Sequence, residues 1–176
     1  MLVRLYASLQ YRIITTKDSC YNILMNKKFI VALLNVLILC VIIFVVSVYF
    51  VSSAKLIGWV IFGLGLLCLV SLKLFKILIK SIWPDIVFGI IDNGILAILA
   101  IIGGEIAGVA GAIVGGVVGN AITDGIAGIF EGEMAEKLRE RKISEERTML
   151  GSAVGKMAGC LLGAGAVLIV ANLVQI

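Results

Sequence analysis

Two polar insertions interrupt the most apolar parts of this chain. Asp92 and Asn93 lie inside IVFGIIDNGILAILAII, and Asn120 and Asp124 lie inside IAGVAGAIVGGVVGNAITDGIAGIF. A carboxylate beside a carboxamide among aliphatic side chains offers hard oxygen ligands to a cation, or a place to hold a proton. Further on, Glu133, Glu136 and Glu140 fall at spacing three then four, a carboxylate stripe along one helical face. The candidate cation ligands are therefore Asp92, Asp124, Glu133, Glu136 and Glu140, oxygen donors suited to magnesium, manganese, calcium or ferrous iron. Met134 would add a softer ligand if iron were the cargo.

Each candidate also has a plainer reading. Asp124 stands six residues from the end of its apolar run, close enough to reach interfacial water or a neighbouring helix. The Glu stripe can be a solvated surface helix, with Glu133 and Lys137 a favourable i,i+4 pair and Glu136 and Glu140 a mildly unfavourable one. Glu105 reads as a solvated turn residue. Asp92, six residues into a 17-residue apolar run, is the hardest to explain without function.

The elements that position these residues follow from composition. Of 176 residues, 61% are hydrophobic and 15% charged, with a mean hydropathy of +1.17. A soluble domain of this size leaves too much surface exposed to hide that content, so lipid is the expected solvent. The net charge of +4 is no nucleic-acid signal, because the basic residues flank apolar runs instead of forming a patch. The absence of histidine removes the commonest transition-metal ligand. Cys20, Cys40, Cys68 and Cys160 form no CxxC pair and read as small hydrophobes. With no nucleophile elbow, phosphate loop or sizeable soluble domain, an enzyme is not expected, and no cofactor is called for beyond a divalent metal as cargo.

Five spans are expected, in an all-α integral membrane protein. A segment 1–28 precedes a hairpin of two spans over 29–75, with spans at 29–51 and 56–75. A basic connection, 76–85, leads to a second two-span hairpin over 86–130, turning at Gly103 to Glu105. Pro84 suits a helix start there. A charged helix, 131–148, precedes the fifth span at 149–176. The first span is too long for the apolar region of a cleaved signal. Met25-Asn26-Lys27-Lys28 reads as a natural start, so residues 1–24 are expected to be a mis-assigned extension. Lysines and arginines alternate between connections in the manner that puts the N-terminus in the cytoplasm and the C-terminus outside. Lys156 would snorkel to the cytoplasmic side.

Small residues recur every four positions in the fourth span: Gly104, Gly108, Ala112, Gly116 on one line and Ala107, Gly111, Gly115, Gly119 on another. The fifth span carries Gly151, Gly155, Gly159 and Gly163. Such faces allow close helix approach in lipid, so these two helices are expected to pack on each other or on a second copy, with a homo-oligomer, a dimer above others, as partner. Extending the first line reaches Asn120, Asp124 and Gly128, and Asp85, Gly89, Asp92 and Ala100 align in the third span. Both Asp–Asn pairs are therefore expected to face the protein interior.

DIVFGIIDNGILAILAIIGGEIAG resembles the first span of the vacuolar iron transporter family, and TDGIAGIFEGEMAEKL is similar to the second span and its glutamate-rich cytoplasmic continuation. The resemblance covers roughly residues 85–176. It implies a homodimer that exchanges ferrous or related ions for protons. Asp92 would be the in-membrane carboxylate, and Glu133, Glu136, Glu140 and Met134 would stand where metal gathers. Departures are plain: the family's element is closer to Asn-Asp-Gly than to Asp92-Asn93-Gly94, and two extra spans come first here, not last. The competing expectation is a non-transporting scaffold, or an accessory subunit, assembled through glycine faces.

Overall fold

The computed structural model describes residues 27–140 and 148–174. Among them every regular element is helical, and no strand occurs. Four stretches are long and apolar enough to cross a membrane: Lys27–Phe50, Lys55–Leu74, Trp83–Phe130 and Met149–Val174. The third is 48 residues long and bends at Ala107 and Gly108, where the backbone leaves helical geometry. Gly108 takes φ 59° and ψ −139°, a combination that any Cβ would strain. Beyond it the chain doubles back. Gly111 lies against Gly103, Gly115 against Leu99, and Gly119 against Leu96.

Five helices result: α1, Lys27–Phe50; α2, Ala54–Leu74; α3, 83–106; α4, 109–140; and α5, Met149–Val174. At 1.5 Å per residue α3 is roughly 36 Å long and α4 roughly 48 Å, each enough for a hydrocarbon core of about 30 Å. The turn at Ala107–Gly108 comes later than the Gly103–Glu105 expected from sequence. Gly103 is needed inside the helix, where it lets α4 close on α3, and Gly108 is the residue that takes the turn. α4 also continues without a break through Glu140, so the charged segment up to that residue prolongs a helix long and apolar enough to cross a membrane and is not a separate helix.

Local signals explain the ends. α2 stops because Lys76 takes φ 56°, with Ile77 N–H donating to the Leu72 carbonyl and Lys76 N–H to that of Lys73. This is a Schellman arrangement, sealed by burial of Leu72 and partial burial of Ile77. A short 3-10 turn, Ile79–Ser81, then feeds α3, whose second residue is Pro84. α5 opens on Thr148, whose Oγ1 accepts from Gly151 N–H at 3.0 Å.

Helix directions follow from pairs in contact. α5 runs antiparallel to α2, with Ile169 against Gly58, Gly165 against Phe62 and Leu162 against Gly65. It runs parallel to α3, with Gly151, Gly159 and Gly163 against Ile82, Ile86 and Ile90. An isoleucine ridge at spacing four thus enters a glycine groove at the same spacing, which is ridges-into-grooves packing with the backbones close enough to touch. α1 meets α2 through Ala32 and Leu39, which share a buried cluster with Cys68, Leu72, Ile82, Ile86 and Val154. The helices alternate up and down, which gathers Lys27, Lys28, Lys73, Lys76 and Lys80 at one end and puts Lys55 and Glu105 at the other. The core sits in the lysine-bearing half.

The segment 1–24, expected to be a mis-assigned extension, lies outside the described residues, as do 141–147.

Candidate polar site at the α3–α4–α5 contact

Asp92 is buried, at 8% exposure, on the side of α3 that α4 covers. It lies about 13 Å along α3 from Trp83, well inside the apolar length. Thr123 Oγ1 stands 2.6 Å from Asp92 Oδ1 and 3.1 Å from the main-chain carbonyl oxygen of Asn120. Asn93 donates from Nδ2 to Asp92 Oδ2 at 3.3 Å. Cys160 of α5 lies beside Asn93 and within electrostatic range of Asp92. One polar layer thus joins three helices.

Thr123 carries a single hydroxyl proton between two acceptors. When the Asp92 carboxylate is charged, Thr123 donates to it. When the carboxyl holds a proton, that proton can be given to Thr123 Oγ1, and the hydroxyl can turn to the Asn120 carbonyl. In both states the Asp92 carboxyl and the Thr123 hydroxyl stay bonded to each other, with only the direction of that bond reversed. Asp92 Oδ1 and the Asn120 carbonyl oxygen both lie within hydrogen-bond reach of Thr123 Oγ1, and all three are oxygens, the donor type a hard cation takes.

A second buried carboxyl lies two helical turns towards the lysine-bearing end. Asp85 has no exposed surface, and Ser152 Oγ of α5 donates to its Oδ1 at 2.8 Å. Between the aspartates, Phe88 presents its ring to Lys156, whose Nζ is 4.4 Å from the ring centroid. Lys156 therefore reaches across to α3 between two carboxyls. From the lysine-bearing end inward, the α3–α5 seam carries Asp85, Ser152, Lys156, Asp92, Asn93 and Cys160.

The five candidate ligands are not brought together. Among the described residues no three carboxylate, thiol or imidazole groups meet in a metal-binding cluster. Asp92 alone is interior. Asp124 is exposed, and Asn120 of the same helix donates from Nδ2 to Asp124 Oδ2 at 3.0 Å. The expectation that both Asp–Asn pairs face inward therefore holds for one and fails for the other. The reason is the second line of small residues, Gly111, Gly115 and Gly119, which is the line that meets α3 and turns the first line outward. Glu133, Glu136 and Glu140 are exposed on the last turns of α4, with Lys137 Nζ 2.6 Å from Glu133 Oε1. The Met134 side chain lies outside the described residues.

Sequence reasoning missed Thr123, Asp85 and Ser152 as parts of the site. One more step along the second line, four beyond Gly119, lands on Thr123. Asp85 was assigned to a connection, but the helix begins at Trp83 and takes it in. The glycines of α5 were expected to meet α4 or a second copy, yet their contacts run to α3 and α2.

No family model, curated protein or solved structure matches the chain. The resemblance to vacuolar iron transporters rests on the quoted residues alone.

Proposed function

We propose that this chain is a multi-pass membrane protein that moves a cation along the α3–α4–α5 contact, with ferrous iron or manganese as cargo and protons as the exchanged ion. The observation that carries this reading is the burial of Asp85 and Asp92 in a helix apolar enough to span a bilayer. Buried carboxyls at membrane depth are costly and mark ion or proton pathways. Asp92 is the central group, able to hold a proton or contribute an oxygen ligand. Thr123 keeps it bonded in either state. Asp85, about 10 Å nearer the lysine-bearing end along α3, is a second stop on the same seam. The exposed Glu133, Glu136 and Glu140 gather cations at the mouth, on the cytoplasmic side if the lysine-bearing end faces the cytoplasm as the basic residues indicate.

A second reading is a scaffold that assembles through glycine faces without moving ions. Two observations favour it: Asp92 already has two hydrogen-bond donors, and α5 fits closely against both α2 and α3. Flux separates the two. Purified protein in liposomes should admit ferrous or manganous ions under a pH gradient. Folded wild-type protein that passes neither ion, at any pH gradient tried, would sink transport and leave the scaffold.

A further inference from the structure

The polar lines of α3 and α5 match step by step, and a lysine stands in the middle of them. On α5, Ser152, Lys156 and Cys160 share a face at spacing four; on α3, Asp85, Phe88 and Asp92 share one at spacings three and four. The helices run parallel. Ser152 Oγ donates to Asp85 Oδ1, Lys156 Nζ lies 4.4 Å from the Phe88 ring centroid, and Cys160 lies beside Asn93. Cys160 is within electrostatic range of both Asp92 and Lys156. The backbones touch at this level, because a Cβ on Gly89 would strike the Lys156 carbonyl oxygen.

The lysine side chain had another course open to it. Lys156 is seven residues, about 10 Å, from the start of α5 at Met149, and side chains on a helix lean towards its N-terminus. A four-carbon stem there can carry its ammonium towards the lysine-bearing end and into interfacial water. The ammonium lies instead over a ring of α3, on the stretch between the two buried aspartates. Two carboxylates about 10 Å apart in apolar surroundings carry like charge, which a cation between them offsets.

The ammonium thus takes the charge position that cargo needs. A monovalent ion brings no more charge than the ammonium it would replace, and the ammonium has the advantage of its tether. A divalent ion brings twice the charge to the same carboxylates. When such an ion arrives, the stem can take its second course, and that move needs only side-chain torsions.

We infer that Lys156 is a tethered stand-in for the cargo: it holds the seam between Asp85 and Asp92 when no ion is bound, and a divalent cation enters by displacing its ammonium. Lys156 is thereby a specificity-determining residue that screens out monovalent cations. The inference rests on the reading that cargo is held at Asp92.

The test is equilibrium binding of manganous ion to the purified full-length chain, read from the loss of the free-ion paramagnetic resonance signal. The Asp92-dependent part is the difference between each protein and the same protein carrying Asp92→Asn, which subtracts binding by the exposed glutamates. Lys156→Met deletes the charge and keeps an apolar stem against Phe88. It should bind manganese through Asp92 about tenfold more tightly than wild type, whereas Lys156→Arg should not. At equal ionic strength, potassium in place of a bulky organic cation should weaken that binding in Lys156→Met and leave wild type unchanged. Equal or weaker Asp92-dependent binding in Lys156→Met would overturn the inference and leave Asp92 a cargo ligand, as would potassium competition already present in wild type. Manganese binding that depends on Asp92 in no variant would sink the transport reading as well. Lys156→Gln replaces Lys156→Met if the latter misfolds. If neither folds, Lys156 is a structural brace and the inference fails.

Discussion

The two Asp–Asn pairs have similar composition and opposite surroundings. Asp92 and Asn93 sit inside a three-helix contact, where Thr123 and Asn93 meet the carboxyl. The side chains of Asn120 and Asp124, across the width of α4, are exposed and bond to each other. Both pairs align with small residues at spacing four, so periodicity alone ranks them equally. What separates them is which of two adjacent small-residue lines the hairpin closes on. Gly108 decides that by setting where α4 starts and hence which side of it returns to α3. Spacing shows which residues share a face, and only the turn shows which face is covered.

The sharpest way to break the comparison is at the α3–α5 seam that supports the buried pair. A Cβ on Gly159 would strike the Ile86 carbonyl oxygen and come within 3.1 Å of Gly89 Cα. Gly159→Leu is expected to cost about 3 kcal/mol or more and to splay α5 from α3, because backbone on both sides cannot yield as a side chain would. Thermal melting in detergent checks this, and a melt unchanged from wild type would mean that the seam is looser than described.

Gly108→Val comes next. The strain of a β-branched residue at φ 59° should cost about 1–3 kcal/mol and disturb the register that sends Thr123 to Asp92. The expected result is a lower melting temperature than wild type, and an unchanged melt would show that the turn tolerates a Cβ there.

A comparable loss is expected from Thr123→Val. It removes a hydroxyl bonded to a buried carboxyl, at about 1–3 kcal/mol, whereas Asp124→Asn on the exposed side should leave monomer stability within about 0.5 kcal/mol. A double-mutant cycle with Asp92→Asn should show coupling for Thr123 and none for Asp124. Equal coupling for both would erase the distinction between the pairs.

The smallest effect is expected at Lys76→Gly. It relieves a left-handed residue that closes α2, away from either pair, and should stabilise the fold by up to about 1 kcal/mol. A destabilising result would show that the Lys76 side chain contributes more than its backbone costs.

Much of the framework is legible in the sequence because it depends on apolar length. The helix starts fall within about three residues of the apolar runs, although α3 and α4 both run on past the expected ends, and the up-down order follows from short connections. The site is less legible. Thr123 gives no hydropathy signal, and Asp85 looks like a connection residue until Pro84 is placed inside the first turn of α3. The partners of the α5 glycines could not be read, because a groove at spacing four accepts a ridge of isoleucines as well as a second glycine line. Asp124 was misplaced for the same reason: two neighbouring lines on one helix are both small, and sequence alone does not rank them.

The measurement closest to the central claim is flux of manganous or ferrous ions into liposomes holding Asp92→Asn beside wild type, with thermal melting read on the same preparations. The expected result is flux that falls at least tenfold in the variant while its melting shows a folded protein. Undiminished flux in a folded Asp92→Asn protein would contradict the claim that Asp92 lies in the path.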